Sequence, residues 1–132
     1  KFFLNVVGSQ LSEEKMDAAI LEVNKSHQVD VGEYAVAALQ DDDENYYHQW
    51  VIVSDDSVDS ESYKNQLDQS LKAANKNYKV ARGKALKYIN LKVTDKETYH
   101  DYLSASKKKG GQIKTPKVMD QKKMRAFLSF ID

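Results

Sequence analysis

The sequence predicts an α+β fold, a ferredoxin-like βαββαβ two-layer sandwich with a C-terminal helical extension. Three observations lead to this class. The chain has 132 residues, which suits one domain. It is 41% hydrophobic and 30% charged, an ordinary composition for a protein with a packed core. Short apolar stretches alternate along it with longer stretches whose apolar residues recur at helical spacing.

The first half of the chain predicts one helix and three strands. Residues 2–7 are short and apolar and predict a strand. Residues 12–25 predict a helix, because Ser12 can cap it and its apolar residues fall on one face. Residues 29–39 and 46–54 predict two strands that an acidic turn joins as an antiparallel hairpin.

The second half predicts mainly helices. A helix is expected at 60–74 and a short one within 75–86, followed by a strand at 88–94 with alternating apolar residues. Two helices at 96–109 and 120–131 complete the chain. We expect the four strands to form one sheet with helices on one face, and the last two helices to extend it.

Several classes of site are excluded. The chain has no cysteine, which excludes disulfides and thiolate metal sites. His27, His48 and His100 have no metal-like spacing, so we expect surface or half-buried residues and no metal site. Glycine-rich phosphate loops and a nucleophile elbow are absent, and no apolar run could span a membrane. The chain alone therefore lacks a complete active site, and it could take part in catalysis only by lending residues to another domain.

The charge is unevenly distributed although the net charge is zero. Residues 1–66 carry 4 Lys/Arg and 14 Asp/Glu, whereas residues 67–132 carry 16 Lys/Arg and 6 Asp/Glu. Two explanations remain open. The basic half could form a face for a phosphate-bearing partner, or the two halves could interleave in the fold and attract each other.

Residues 107–117, KKKGGQIKTPK, surround Lys114 with two glycines and the only proline of the chain. Gly110 and Gly111 admit backbone angles that other residues avoid, and Pro116 fixes its own φ. Lys114 could then lie on a shaped loop, where its ammonium suits phosphate or carboxylate oxygens. The alternative is an exposed, lysine-rich connection between two helices.

The same stretch resembles the C-terminal signature of the auxin-responsive acyl-acid amido synthetases of plants and their bacterial relatives, and we expect a bacterial member. The signature reads Gly-Gly-Gln-x-Lys-x-Pro-Arg. Here it is carried by Gly110, Gly111, Gln112, Lys114, Pro116 and Lys117, the last where arginine is usual.

Three other stretches are similar to this family in the same order, from about Phe3 to Lys117. FLNVVG resembles the entry to the family's C-terminal domain, and HQW resembles its His-x-Trp strand. LDQSLKAANKNYKVAR resembles the pattern Leu-Asp-x-x-Leu-x-x-x-Asn-x-x-Tyr-x-x-x-Arg. The matching residues of that pattern are Leu67, Asp68, Leu71, Asn75, Tyr78 and Arg82.

The resemblance implies that residues 1–132 are the small C-terminal lid domain of an adenylate-forming ligase, related to firefly luciferase. The N-terminal adenylation domain of the longer chain would be absent. Such an enzyme converts a carboxylic acid and ATP to an acyl-adenylate and then transfers the acyl group to an amine. ATP and Mg would be bound mainly by the absent domain, and the fragment alone would be inactive. A cytoplasmic protein without nucleic-acid or membrane partners is expected.

The resemblance also implies residue roles. Lys114 is the expected catalytic residue, and Gly110, Gly111, Gln112 and Lys117 would form the loop that contacts substrate or nucleotide. Lysine at 117 keeps the charge of the usual arginine but loses its bidentate fork.

Asn75, Tyr78 and Arg82 are either structural or interdomain residues. The spacing of Tyr78 and Arg82 favours packing at a helix junction. Two other functions stay open. One is a stand-alone ferredoxin-like module that binds a ligand or a protein. The other is RNA binding, although the strands lack the aromatic pattern of an RNA-recognition domain.

Overall fold

A computed structural model of the chain describes residues 3–4, 11–108 and 117–132, and the side chains of 11–106 and 117–132. In chain order its elements are β1 (Phe3–Leu4), β2 (Leu11–Ser12), α1 (Glu13–His27), β3 (Glu33–Gln40), β4 (Tyr46–Val53), α2 (Ser60–Ala74), α3 (Lys76–Arg82), β5 (Leu86–Thr94), α4 (Lys96–Lys108) and α5 (Gln121–Ile131).

The main sheet has the strand order β3-β4-β5, with β4 in the centre. β3 and β4 form the predicted antiparallel hairpin, in register from Glu33 opposite Val53 to Gln40 opposite Tyr46. β4 and β5 are parallel, because the crossover through α2 and α3 returns the chain to the same end of the sheet.

Apolar side chains pack on both faces of this sheet. One core lies between the sheet and α1, α2 and α3, and contains Trp50 and Ile52 of β4. The second core contains Val51 of β4 together with Met124 and Phe127 of α5, and aromatic residues of α4 pack against it. The C-terminal helices, predicted as an extension, therefore cover the second face of the sheet and add a third layer.

The sequence of β4 explains this arrangement. Seven of its eight residues, YHQWVIV, are buried. A strand that is covered on both faces has a nearly continuous apolar run, whereas a strand with one wet face alternates. Helices must therefore lie on both sides of β4.

The N-terminal strand lies outside the main sheet. β1 pairs antiparallel with β2, so the described residues form a three-stranded sheet and a separate two-stranded ribbon, where four strands in one sheet were predicted. The backbone of residues 117–119 meets the edge of β3 through a parallel bridge between Val36 and Val118. Residues 5–10, which the predicted first strand also included, are outside the described part.

Helix α1 begins at its predicted cap, because the Ser12 hydroxyl accepts a hydrogen bond from the Lys15 amide at 3.2 Å. Helix α2 begins after the cap residue Asp59, which was not predicted. The predicted core face of α1 is confirmed by its buried residues Met16, Ala19, Ile20 and Val23.

In the described part of the chain, no helix has the length and apolar character needed to cross a membrane.

The prediction for His48 was wrong, because this residue is fully buried in β4. Neither ring nitrogen has a hydrogen-bond partner among the residues that the structure describes, and the ring lies against Tyr78 with centroids 6.0 Å apart. Burial, assisted by the nearby Arg82 cation, lowers the pKa of His48 to about 3. His27 is half-buried and His100 exposed, as expected. Among the described residues no group of side chains could hold a metal ion.

We predict that His48 makes folding sensitive to mild acid. Between about pH 6.5 and its folded-state pKa, the unfolded chain binds a proton that the folded chain excludes, so stability falls as pH falls. The expected contribution is up to about 1.4 kcal/mol per pH unit within this window. Urea unfolding of the chain between pH 7 and pH 4 should show a shallower pH dependence for His48→Phe.

His100→Phe is the matched control, because His100 is exposed and should leave the pH slope unchanged. Equal slopes for the wild type and His48→Phe would contradict the assignment of a neutral, buried imidazole.

Candidate functional site

The matching residues of the stretch LDQSLKAANKNYKVAR (67–82) meet at the junction of α2, α3 and β5. Arg82 forms a bidentate ion pair with Asp68, with Nε–Oδ1 at 2.9 Å and Nη2–Oδ2 at 3.0 Å. Its remaining Nη1 donates to the Leu86 carbonyl at 3.0 Å. The Tyr78 hydroxyl donates to Asp68 Oδ1 at 2.5 Å, and Lys72 Nζ lies 3.5 Å from Oδ2. We call Asp68, Asn75, Tyr78 and Arg82 the Asp68 cluster.

Asn75 creates this junction by separating the two helices. Its φ of −141° and ψ of 111° are extended, so α2 ends there. Its side-chain oxygen accepts from the Tyr78 amide at 2.8 Å and caps the start of α3. The new helix direction places Tyr78 and Arg82 one turn apart, both toward Asp68.

The contacts within the cluster fix the protonation states of its titratable residues. Burial favours the neutral form of Asp68, but the hydrogen bonds from Arg82 and Tyr78 outweigh it and lower the pKa of Asp68 below its usual value. The hydrogen bond to Asp68 raises the pKa of Arg82, and burial raises that of Tyr78. No member changes protonation near neutral pH, so the cluster is arranged to join α2, α3 and β5 and not to transfer protons.

Asn75, Tyr78 and Arg82 are thus brought together by the fold. Asn75 and Tyr78 are buried and Arg82 is half-buried, so the described contacts of the cluster are internal. A further contact with another domain stays a prediction. The sequence identified Asp68 only as a match to the family pattern and gave it no role, although it receives the bonds of Tyr78 and Arg82. Its position beside Leu67 on the inward face of the predicted helix was the available signal.

Lys117 lies at the edge of β3, with its ammonium already engaged. Its Nζ is 3.0 Å from Asp17 Oδ1 on α1 and 5.0 Å from the centre of the Tyr34 ring. The Tyr34 hydroxyl donates to the same oxygen of Asp17 at 2.5 Å. The Lys117 carbonyl accepts from the Val36 amide at 2.8 Å, which fixes the backbone to β3.

The other predicted loop residues, Gly110, Gly111, Gln112 and Lys114, lie outside the described residues. Their roles stay predictions. The described chain reaches this segment from the end of α4 and continues from it at Lys117, which is tied to α1 and β3 by the contacts above.

A polar cavity of about 310 Å³ lies elsewhere, along β5. Its two lysines are paired with carboxylates of the same cavity, Lys64 with Glu61 at 3.0 Å and Lys92 with Asp132. Its lining residues are Gln49, Glu61, Lys64, Asn90, Leu91, Lys92, Leu128 and Asp132, none of which was predicted as a site residue.

We predict that Arg82→Ala destabilises the chain by about 3 kcal/mol, because it leaves the carboxylate of Asp68 mostly buried without its main partner. Chemical unfolding would measure the loss. Arg125→Ala is the matched control, since Arg125 is exposed and its side chain donates a hydrogen bond to the Gln40 carbonyl at 3.2 Å. It should cost less than about 1 kcal/mol. Equal losses in the two variants would contradict a special role for the Asp68 cluster.

Comparison with solved structures supports the fold. The structure of "GH3.15 acyl acid amido synthetase" superimposes with a TM-score of 0.71 at 14% sequence identity, over 99% of this chain. The chain spans 25% of the length of that protein. This match confirms the predicted ferredoxin-like α+β class.

Two MamM structures match less well. The C-terminal domain of one MamM variant has a TM-score of 0.33 and 15% identity, over 83% of this chain and 97% of its own. A second variant has a TM-score of 0.30 and 10% identity, over 82% and 96%. Scores this low carry no argument. No curated protein sequence matches the chain significantly.

The sequence itself also matches a family model. The model of the GH3 family C-terminal domain covers residues 14–123, most of the chain and both of its longer matching stretches. This confirms the family resemblance drawn from those stretches, and the chain belongs to the GH3 family as its C-terminal domain.

Proposed function

We propose that this chain is the C-terminal lid domain of a longer, ATP-dependent ligase that forms an acyl-adenylate and then transfers the acyl group to an amine. The observation that carries the proposal is the match of the GH3 C-terminal model to residues 14–123. The fold match to an acyl acid amido synthetase, of which this chain spans 25%, supports it. An N-terminal adenylation domain would occupy the rest of the full-length chain.

Lys114 is the residue that we propose for catalysis. Attack of a carboxylate on the α-phosphate of ATP builds negative charge there and on the departing pyrophosphate. A cation placed in advance at that position lowers the barrier without reorganisation during the reaction. A lid that brings in the lysine also excludes water, which would hydrolyse the adenylate. Gly110 and Gly111 would shape its loop, and Gln112 would add a polar contact.

Lys117 is a weaker candidate for a substrate contact than Lys114. In this structure its ammonium is bound by Asp17 and lies over the Tyr34 ring. Contact with a phosphate would require breaking that ion pair, and a lysine offers no bidentate grip in return. The geometry favours Lys117 as the anchor between the loop and β3.

ATP and Mg fit the rest of the enzyme better than the described part of this chain. Magnesium prefers carboxylate oxygens and the phosphates of the nucleotide, and the described residues offer no cluster of acidic or histidine side chains for a metal. The carboxylate of Asp68 is already occupied by Arg82 and Tyr78. This chain would therefore contribute its loop to a nucleotide that the N-terminal domain binds.

We predict that Lys114→Ala in the full-length protein lowers acid-dependent ATP–pyrophosphate exchange by roughly 10²–10³-fold, the usual effect of losing one electrostatic contact to a transition state. The assay would use a panel of carboxylic acids. Lys122→Ala on α5 is the matched control, because Lys122 is exposed and should leave exchange unchanged.

Exchange that is unaffected by Lys114→Ala would keep the ligase but reduce the loop to a connection between helices. Absence of exchange with every acid would count against the ligase and favour a stand-alone binding module.

A further inference from the structure

The outer face of α3 carries lysines that form no ion pair with a carboxylate of the described residues. The 26 residues between Asp68 and Asp95 contain seven Lys/Arg and no Asp/Glu. Three of the seven are paired, Lys72 and Arg82 with Asp68 and Lys92 with Asp132. Four are exposed and form no ion pair with a described residue: Lys76, Lys79, Lys84 and Lys87.

Three of these lysines lie on α3 or directly after it. Lys76 and Lys79 are one helical turn apart on α3, and Lys84 lies in the turn that follows, where its amide donates to the Ala81 carbonyl at 3.0 Å. Val80 lies among them with 50% of its surface exposed. We call these four residues the α3 lysine face. Lys87 is left out because it lies on β5 and not on α3 or the turn after it.

The Asp68 cluster makes this face rigid. Tyr78 and Ala81 are buried on the inner side of α3, and Arg82 ties the helix to both α2 and β5. A rigid surface loses little conformational entropy when a partner binds. Exposed lysines around an apolar centre also match the polar rim and apolar core of protein–protein interfaces.

Attraction between the two halves of the chain does not account for this charge. Only two ion pairs in the described part join residues 1–66 to residues 67–132, Lys96 with Asp30 at 3.9 Å and Lys117 with Asp17 at 3.0 Å. The described lysines without an ion pair therefore remain exposed at the surface, where they can attract an acidic partner.

We propose that the α3 lysine face docks on an acidic surface of the N-terminal domain in the full-length protein. This rests on the proposed function, which places that domain in the same chain, and on the fact that this chain spans 25% of the matched synthetase. Exposed ion pairs around Val80 would hold the two domains together, so docking should weaken as the salt concentration rises.

The other candidate occupants are a second copy, nucleic acid and a membrane. A second copy also carries exposed acidic side chains, at 42–44, 55–61 and 95–101 among others, so the cross-linking experiment below tests it directly. Single-stranded nucleic acid requires aromatic or arginine stacking surfaces, and the α3 lysine face has neither. A membrane requires a wider apolar face than the one Val80 provides.

Zero-length carbodiimide cross-linking of the full-length protein, followed by peptide mass spectrometry, tests the proposal. The expected cross-links join Lys76, Lys79 or Lys84 to Asp or Glu residues that precede this domain. The yield of cross-links from Lys76, which keeps its amine, should fall roughly tenfold in Lys79→Glu/Lys84→Glu, and the yield from all three lysines should fall at 1 M salt in the wild type. Lys122→Glu/Lys123→Glu on α5 changes the same charge at exposed positions and should leave the yield unchanged.

Three results would overturn the proposal: no cross-links from this face, cross-links between copies in a mixture of isotope-labelled and unlabelled protein, or salt-sensitive RNA binding that the double variant abolishes. The readout is independent of catalysis. ATP–pyrophosphate exchange without these cross-links would reject the interface and keep the ligase. Cross-links without exchange would keep the interface and count against the ligase.

Discussion

Burial of β4 on both faces is the constraint on which the rest of this structure depends. The strand carries Trp50 and Ile52 into one core and Val51 into the other, so helices must cover both sides of the sheet. The same constraint places His48 in an apolar layer, where the imidazole stays neutral. It also leaves polar and charged groups to the sheet edges, the helix surfaces and the connections.

The second organising feature is one acidic residue in the basic half. Asp68 receives Arg82, Tyr78 and Lys72, and its hydrogen-bonded carboxylate joins two helices to a strand. Such a buried charge is tolerated because its oxygens are occupied by well-placed donors. The lysines of α3 are exposed and form no ion pair within the described part of the chain. The inside of this helix is therefore electrostatically satisfied, while its outside retains a surplus of positive charge.

The connection that leads from α4 to α5 is anchored at Lys117. Two backbone hydrogen bonds with Val36 fix residues 117–119 to β3, and the Asp17 ion pair adds a link to α1. The described end of this connection is therefore fixed in position relative to α1 and β3.

The sequence by itself determined the local elements, because they follow from short-range periodicity and capping. α2 was predicted with the bounds that the structure has, and the β3–β4 hairpin and the core face of α1 follow from the residues alone. The motif residues also identified the family. Tertiary structure decided which face α4 and α5 cover, the pairing of β1 with β2, and the burial of His48, because these depend on contacts between segments distant in sequence. Tertiary structure also decided the partners of Asp68 and Lys117. Asp68 and Arg82 are 14 residues apart in sequence, and Lys117 and Asp17 are 100 apart, so no local pattern predicts either contact.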